Sequence, residues 1–263
     1  MSNTARRSFF GGLSSEENAS ILADPTVSYR LLYWDVASVG GTARDILAYG
    51  KARWTNQIPM GNQWGEGKLP TPFGVMPVLN IVALDGKETF IAESVVVDHY
   101  LAKKFNLLGN NEWEEFTIKG IYNNIHHLRE RSLTGVTWIY ADKRKEGLAN
   151  FLNKTLPKFI SDHEFHLKAN GSNGHYIGDK LSLADIHLAN VMDHFSHLPS
   201  GDVITALLQK SELWKVKETV EKNPDIAAWR GSVESKMLVN GSLACYAQTA
   251  VPEGAEEAEE TQS

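Results

Sequence analysis

The stretch Pro70-Thr71-Pro72-Phe73-Gly74-Val75-Met76-Pro77-Val78-Leu79 constrains this chain more than any other. Its prolines fix φ and remove backbone donors, so no helix runs through it. It ends a polar, glycine-rich loop and launches an apolar run. Residues 75–84 and 89–92 read as two strands, and Asp85-Gly86 between them is a hairpin-turn pair. A helix over residues 94–105 follows, with Ser94 as its N-cap. Upstream, residues 27–34 read as a strand, 38–42 as a loop, 43–49 as a helix ending near Gly50, and 54–58 as a second strand. The order β-α-β then β-β-α predicts a compact mixed sheet covered by helices.

The pattern changes after Gly109-Asn110-Asn111. From Glu112 onward the spacing is helical and no good strand appears. Trp113, Phe116, Ile121, Ile125 and Leu128 share one stripe. Leu148, Phe151, Leu152, Leu156 and Phe159 form another, continued by Phe165 to Leu167. Leu181-Ser182-Leu183-Ala184-Asp185-Ile186 is a complete helix start. Ser182 is the N-cap, Asp185 closes the capping box, and Leu181 with Ile186 forms the staple. That helix is expected to reach about His197, and Asn223-Pro224-Asp225 starts a short one through Trp229. Residues 1–27 read as a polar extension with a short helix capped at Ser14 or Ser15, and 241–263 as an acidic, disordered tail.

Charge and cysteine content narrow the function classes. The formal net charge of −6 argues against nucleic acid or an anionic membrane as the main partner. No apolar run reaches the ~18 residues of a membrane helix. The first ten residues lack the apolar core of a secretory signal, and Glu16 and Glu17 count against a mitochondrial presequence. The single cysteine, Cys245, cannot form an internal disulfide, which suits a reducing, cytoplasmic setting. Among the histidines, only His194 and His197 have a ligand-like spacing; without a Glu-His partner pattern they read as helix-surface residues, and no metal site is expected.

A mixed-sheet domain followed by an all-helical one resembles the cytosolic glutathione transferases, most nearly their tyrosine-type sigma class. The resemblance spans about residues 28–230 and rests on five pieces in order. These are Tyr29-Arg30-Leu31-Leu32-Tyr33-Trp34-Asp35, Trp64 with Lys68, Phe73 to Leu79, Glu93-Ser94, and Leu181 to Asp185. It implies a thioredoxin-like glutathione-binding domain over residues 28–107 and an all-helical domain over 112–240.

It also implies roles. Tyr33 would donate a hydrogen bond to the glutathione sulfur and favour the thiolate, which is the nucleophile. Pro77 would be cis and would turn Met76 outward to pair with the peptide like an added strand. Val75 stands where many relatives carry lysine or glutamine, so a backbone contact survives there and a side-chain contact does not. Glu93 and Ser94 would hold the γ-glutamyl group, which also suits the positive end of a helix. Trp64 and Lys68 would meet the glycyl carboxylate. Glutathione would be the co-substrate, with no other cofactor, and the second substrate a small hydrophobic electrophile. Tyr122, His126, Trp138 and Tyr140 are candidates for its wall, with the ordinary core reading equally open. A homodimer is implied, with the region of Asn123 and Asn124 near the partner's glutathione.

One segment departs from the pattern. Residues 36–45 are longer by about three than the family's usual turn. The arginine that commonly orients the thiolate has no counterpart unless Arg44 turns inward, and Ser38 or Thr42 offers a substitute hydroxyl. This keeps open a non-enzymatic glutathione-binding or structural relative. Ser182 and Asp185 are read as a folding element and not as catalytic residues, and Cys245 lies outside the matched region.

Overall fold

A computed structural model describes residues 6–10 and 12–251. The remaining residues, including those of the expected tail from 252 onward, lie outside the described ones. Two units divide the chain: the described residues up to Leu107 together with Asn223–Leu238, and Leu108–Lys222 with the residues from Val239.

In the first unit, α1 (Ser15–Ala23) precedes the strand β1 (Ser28–Leu32), which is followed by a 3-10 turn (Ser38–Gly40), α2 (Gly41–Tyr49) and β2 (Trp54–Gln57). The hairpin β3 (Val78–Val82) and β4 (Glu88–Ala92) leads into α3 (Ser94–Lys104). The sheet order is β2-β1-β3-β4, with β1 parallel to β2 and antiparallel to β3. This is the mixed sheet expected of a thioredoxin-like domain. Tyr29, Leu31, Val78, Leu79 and Ile81 are buried in it, and Ile46, Leu47, Val97 and Leu101 cover it from α2 and α3. Asp85-Gly86 makes the hairpin turn, with Gly86 at φ 84° and Lys87 N–H donating to Asp85 Oδ1. Strand β3 starts at Val78 and not at Val75, because Gly74 at φ 71° and Pro77 keep residues 70–77 irregular.

Two differences concern the ends. In the extension the short helix forms as expected, capped by a box between Ser14 and Glu17, but the residues before it are not merely polar, since Arg6 bridges to Thr71 and Phe9 stacks on Phe90 of β4. The helical domain expected over 112–240 cedes 223–238 to the first unit. There α10 (Pro224–Gly231) packs against α2, and the start of α11 (Val233–Ala247) follows. Arg230 Nη2 and Nε donate to buried Asp45 Oδ2 at 2.6 and 3.0 Å, Trp229 meets Trp54 edge-on at 4.8 Å, and Asn56 Nδ2 donates to Glu234. Residues 241–247 belong to α11, which continues to Ala247, and are not part of a tail as expected.

The second unit is helical: α4 (Glu112–Ser132), α5 (Arg144–Asn150), α6 (Leu156–Ala169), α7 (Leu183–Ser196), α8 (Gly201–Leu208) and α9 (Glu212–Glu221), with the end of α11. No described helix is long and apolar enough to cross a membrane. The buried central helix is α7, packed on α4, α8 and α9. On α4 the buried face is Ile118, Tyr122, Ile125, Leu128 and Arg129, so the expected stripe is right only at its end. Trp113 and Phe116 are exposed, and Ile121 is half-buried. Phe165 is also exposed, whereas Phe151, Leu156, Phe159 and Leu167 are buried. One histidine differs from expectation: His194 is buried and not on the helix surface, and His163 is buried as well.

The capping box on α7 forms as expected. Asp185 Oδ2 accepts from the Ser182 N–H and hydroxyl, both at 2.8 Å, and Oδ1 accepts from the Tyr176 N–H at 2.9 Å. That last bond ties the preceding loop to the cap. Replacing Asp185 by alanine therefore removes a cap and leaves the buried Tyr176 N–H short of its acceptor. The expected cost is about 2–3 kcal/mol, measured by urea unfolding. A loss no larger than that of an exposed cap would mean that the Tyr176 contact contributes nothing.

Candidate functional site

The sheet register gathers the expected site residues at one end. Leu32 pairs with Val78 on one side and with Gln57 on the other, and Val78 pairs with Ala92. Tyr33 follows Leu32, Pro77 precedes Val78, and Glu93-Ser94 follows Ala92. The loop carrying Trp64 and Lys68 leaves β2 at the same end. Leu32, Val78 and Ala92 form a small apolar cluster beneath this end, with Leu69, Met76 and Phe90 packed against it.

Each residue then has its local reason. Strand β1 stops at Leu32, which releases Tyr33 and Trp34 from the ladder, although the Tyr33 N–H still donates to the Gln57 carbonyl at 3.2 Å. Trp34 is partly exposed and meets Trp64 edge-on at 5.4 Å, which pins the Trp64 loop beside the end of β1. Lys68 is exposed and pairs with Glu66 at 2.7 Å. The Met76–Pro77 bond is cis, and Met76 lies just ahead of the ladder that begins at Val78. Val75 is exposed and Pro77 is buried.

At the start of α3 the capping position is Glu93, not Ser94, which is the first helical residue. Glu93 sits at φ 72°, a region that residues with a Cβ seldom occupy. Such an outlier at a helix entry is a mark of functional positions. The first turn of a helix offers N–H groups that have no acceptor within the helix, together with a partial positive charge. The Ser94 end of α3 is thus suited to a carboxylate.

Arg44 is the residue that sequence reasoning placed least well. It does turn inward, and it is almost fully buried. Its Nη1 donates to the carbonyls of Val36 and Ala37, its Nη2 to Trp34, and its Nε to Asn56. The guanidinium lies 5.5 Å from the centre of the Tyr33 ring. Burial lowers its pKa to about 10, with the nearby Tyr33, Glu234 and Asp45 acting in the opposite direction. A cation at one of the buried positions of α2, beside Ile46 and Leu47, was the available signal. The longer segment after Tyr33 is therefore held from inside by Arg44, and the Ala37 N–H donates to the Leu238 carbonyl at 3.1 Å. Gly40 is needed there, since a Cβ would lie 2.7 Å from Tyr33 Cδ1. Tyr33, Ser38 and Thr42 are all buried, so burial does not rank the three hydroxyls.

Other candidates separate. Tyr122 is in the core of the helical unit, its ring centre 4.2 Å from that of His187 with the planes tilted by 33°, and His126 is half-buried beside it. Trp138 and Tyr140 are exposed. Among the described residues no three His, Cys, Asp or Glu side chains gather as a metal group would require.

Comparison with known proteins gives one answer. A family model, the glutathione S-transferase C-terminal domain, matches residues 129–232. A probable glutathione S-transferase 7 of Caenorhabditis elegans is 32% identical over 210 residues, covering 77% of this chain and 95% of that protein. A glutathione S-transferase of Anopheles gambiae is 27% identical over 202 residues, covering 76% and 94%. The solved structure of prostaglandin synthase D of Nilaparvata lugens is 26% identical with a TM-score of 0.67, covering 78% of this chain and 98% of that one. With its mixed sheet, helical unit and near-complete coverage of these relatives, the chain belongs to the glutathione S-transferase family.

Proposed function

We propose that this enzyme conjugates the glutathione thiolate to small hydrophobic electrophiles, with Tyr33 as the thiol activator in the manner of the sigma class. The observation that carries the reading is the convergence of Tyr33, Met76 with cis Pro77, Glu93-Ser94 and the Trp64 loop at one sheet end. Met76 offers its backbone to the cysteinyl part of glutathione, next to Val75. Glu93 takes the α-ammonium, and the α3 N-terminus with Ser94 takes the γ-glutamyl carboxylate. Trp64 and Lys68 take the glycyl end. The Tyr33 hydroxyl donates to sulfur, so the thiol loses its proton to solvent more readily; the thiolate then forms the C–S bond either by adding across an activated double bond, whose carbanion takes a proton from solvent, or by displacing a leaving group such as the halide of a halonitrobenzene, which departs to solvent. Arg44 holds the segment that frames Tyr33 and adds positive potential beside it. A thiol co-substrate and the single free cysteine suit the cytoplasm. The exposed Trp113, Phe116 and Phe165 supply apolar surface for a homodimer.

The test is Tyr33→Phe with a halonitrobenzene acceptor. Turnover at neutral pH should fall about a hundredfold, and glutathione affinity should stay within a few-fold. The thiol ionisation seen in the pH–rate profile should move upward. Equal turnover in both proteins would remove Tyr33 from the role and transfer it to Ser38 or Thr42. Retention on immobilised glutathione without any turnover would favour a binding-only protein, a reading kept open by the atypical segment after Tyr33.

A further inference from the structure

The N-terminal arm makes a set of contacts that the glutathione reading does not use. Arg6 forms a bridge with Thr71, and the Arg7 N–H donates to the Thr71 carbonyl at 3.2 Å. Arg7 Nη1 donates to Asn80 Oδ1 at 2.6 Å, and Nη2 pairs with Glu88 at 3.3 Å. The same guanidinium lies 4.1 Å from the centre of the Phe90 ring. Phe9 stacks on Phe90 at 5.2 Å and touches Phe73 at 5.7 Å. Asn80 and Phe90 face each other across β3 and β4, so the arm is anchored on the rigid hairpin. Its other contacts are to Thr71 and Phe73, three to five residues ahead of Met76.

We propose that Arg7 and Phe9 are positioning residues for glutathione: they strap residues 71–76 to the β3–β4 hairpin and hold the peptide-docking edge in its binding conformation. This rests on the reading of Met76 as the docking edge. The physical case is pre-organisation. A loop with three prolines and a glycine at φ 71° carries no ladder hydrogen bonds before Val78, so something else must select its conformation. Arg7 offers charge-assisted bonds to a strand pair, and Phe9 gives Phe73 an aromatic partner. Affinity for a ligand scales with the fraction of molecules in the competent conformation. A strap of this kind therefore acts on binding and not on the chemical step.

The experiment compares the full-length chain with the double variant Arg7→Ala/Phe9→Ala and with Phe10→Ala. Phe10 belongs to the same arm but is almost fully exposed, which makes it the control. Amide exchange by mass spectrometry and glutathione titration calorimetry are read together with KM and kcat. The double variant should lose exchange protection at residues 73–76 and bind glutathione about five- to tenfold more weakly. Its kcat at saturating glutathione should stay within about twofold, and Phe10→Ala should match the parent. Unchanged protection and affinity would overturn the proposal. So would protection lost evenly across the sheet with a lower melting temperature, since that marks a merely structural arm. If the parent does not bind glutathione, yet protection at 73–76 still falls in the double variant, the strap stands and the ligand reading falls.

Discussion

Arg230→Ala should destabilise the first unit by about 3 kcal/mol, among the larger single-site effects expected in this chain. Asp45 is almost fully buried on α2, and its Oδ2 takes two charge-assisted bonds from one guanidinium. Removing that guanidinium leaves a carboxylate in a low-dielectric setting with its nearest counter-charge gone. Arg44 is adjacent in sequence, but its donors are committed to the 34–37 segment and Asn56. Arg230 is itself partly exposed, so the loss falls at the lower end of the range for buried pairs. Asp45→Asn in the Arg230→Ala background should recover part of the stability, because it removes a buried charge that has lost its two bonds to Arg230. Urea unfolding of the four proteins forms the cycle. An Arg230→Ala loss below about 1 kcal/mol would reduce the pair to a surface contact.

Acid should unfold the helical unit early. Burial lowers the His163 pKa to about 4, with His166 adding to this and Asp162 opposing it. Its ring lies between Tyr176 Oη at 2.5 Å and Asn124 Oδ1 at 3.0 Å. The His194 pKa falls to about 3, first from burial and then from Arg129 and His197. Both rings are therefore neutral when folded, and both take up a proton near pH 6.5 when unfolded. The unfolded state then binds more protons below that pH, so stability is full above it and is lost as pH falls towards the folded pKa. The slope is about 1.4 kcal/mol per pH unit for each ring, or about 4 kcal/mol for the pair by pH 5. That interval lies largely above the carboxylate titrations, which makes it diagnostic. Unfolding free energies measured at about pH 7.5 and about pH 5 should differ by this order, and His163→Gln should halve the difference. A flat profile would mean that the folded protein accepts these protons.

What the sequence conveyed follows from how local each signal is. The Asp85-Gly86 turn, the Ser182/Asp185 box and the helical spacing of α7 each involve residues within one or two turns, and all three elements formed. The strands expected over 27–34 and 75–84 run only over Ser28–Leu32 and Val78–Val82, because the ladder partners, and not the β-branched pattern alone, decide where a strand stops. The face of α4 was not legible either, because Trp113 and Phe116 satisfy an apolar pattern while remaining exposed, and only the neighbours of a helix decide which stripe is inside. His194 departs from its expected surface position for the converse reason: a polar residue type does not by itself mark an exposed site. Arg44 and Asp45 have partners that include Asn56 and Arg230, and separations of 12 and 185 residues leave no periodic trace. The Arg7 and Phe9 contacts with the hairpin are equally distant in sequence and equally silent.

The return of residues 223–238 to the first unit has a consequence for synthesis on the ribosome. The sheet and α2 emerge early, but Asp45 waits for Arg230 and Trp54 waits for Trp229 until more than a hundred further residues have been made. The helical unit, by contrast, has all but its last segment by Lys222. Vectorial synthesis therefore presents the sheet domain first and completes it late, and a fragment cut at Leu107 would carry a buried carboxylate on α2 without the arginine that answers it.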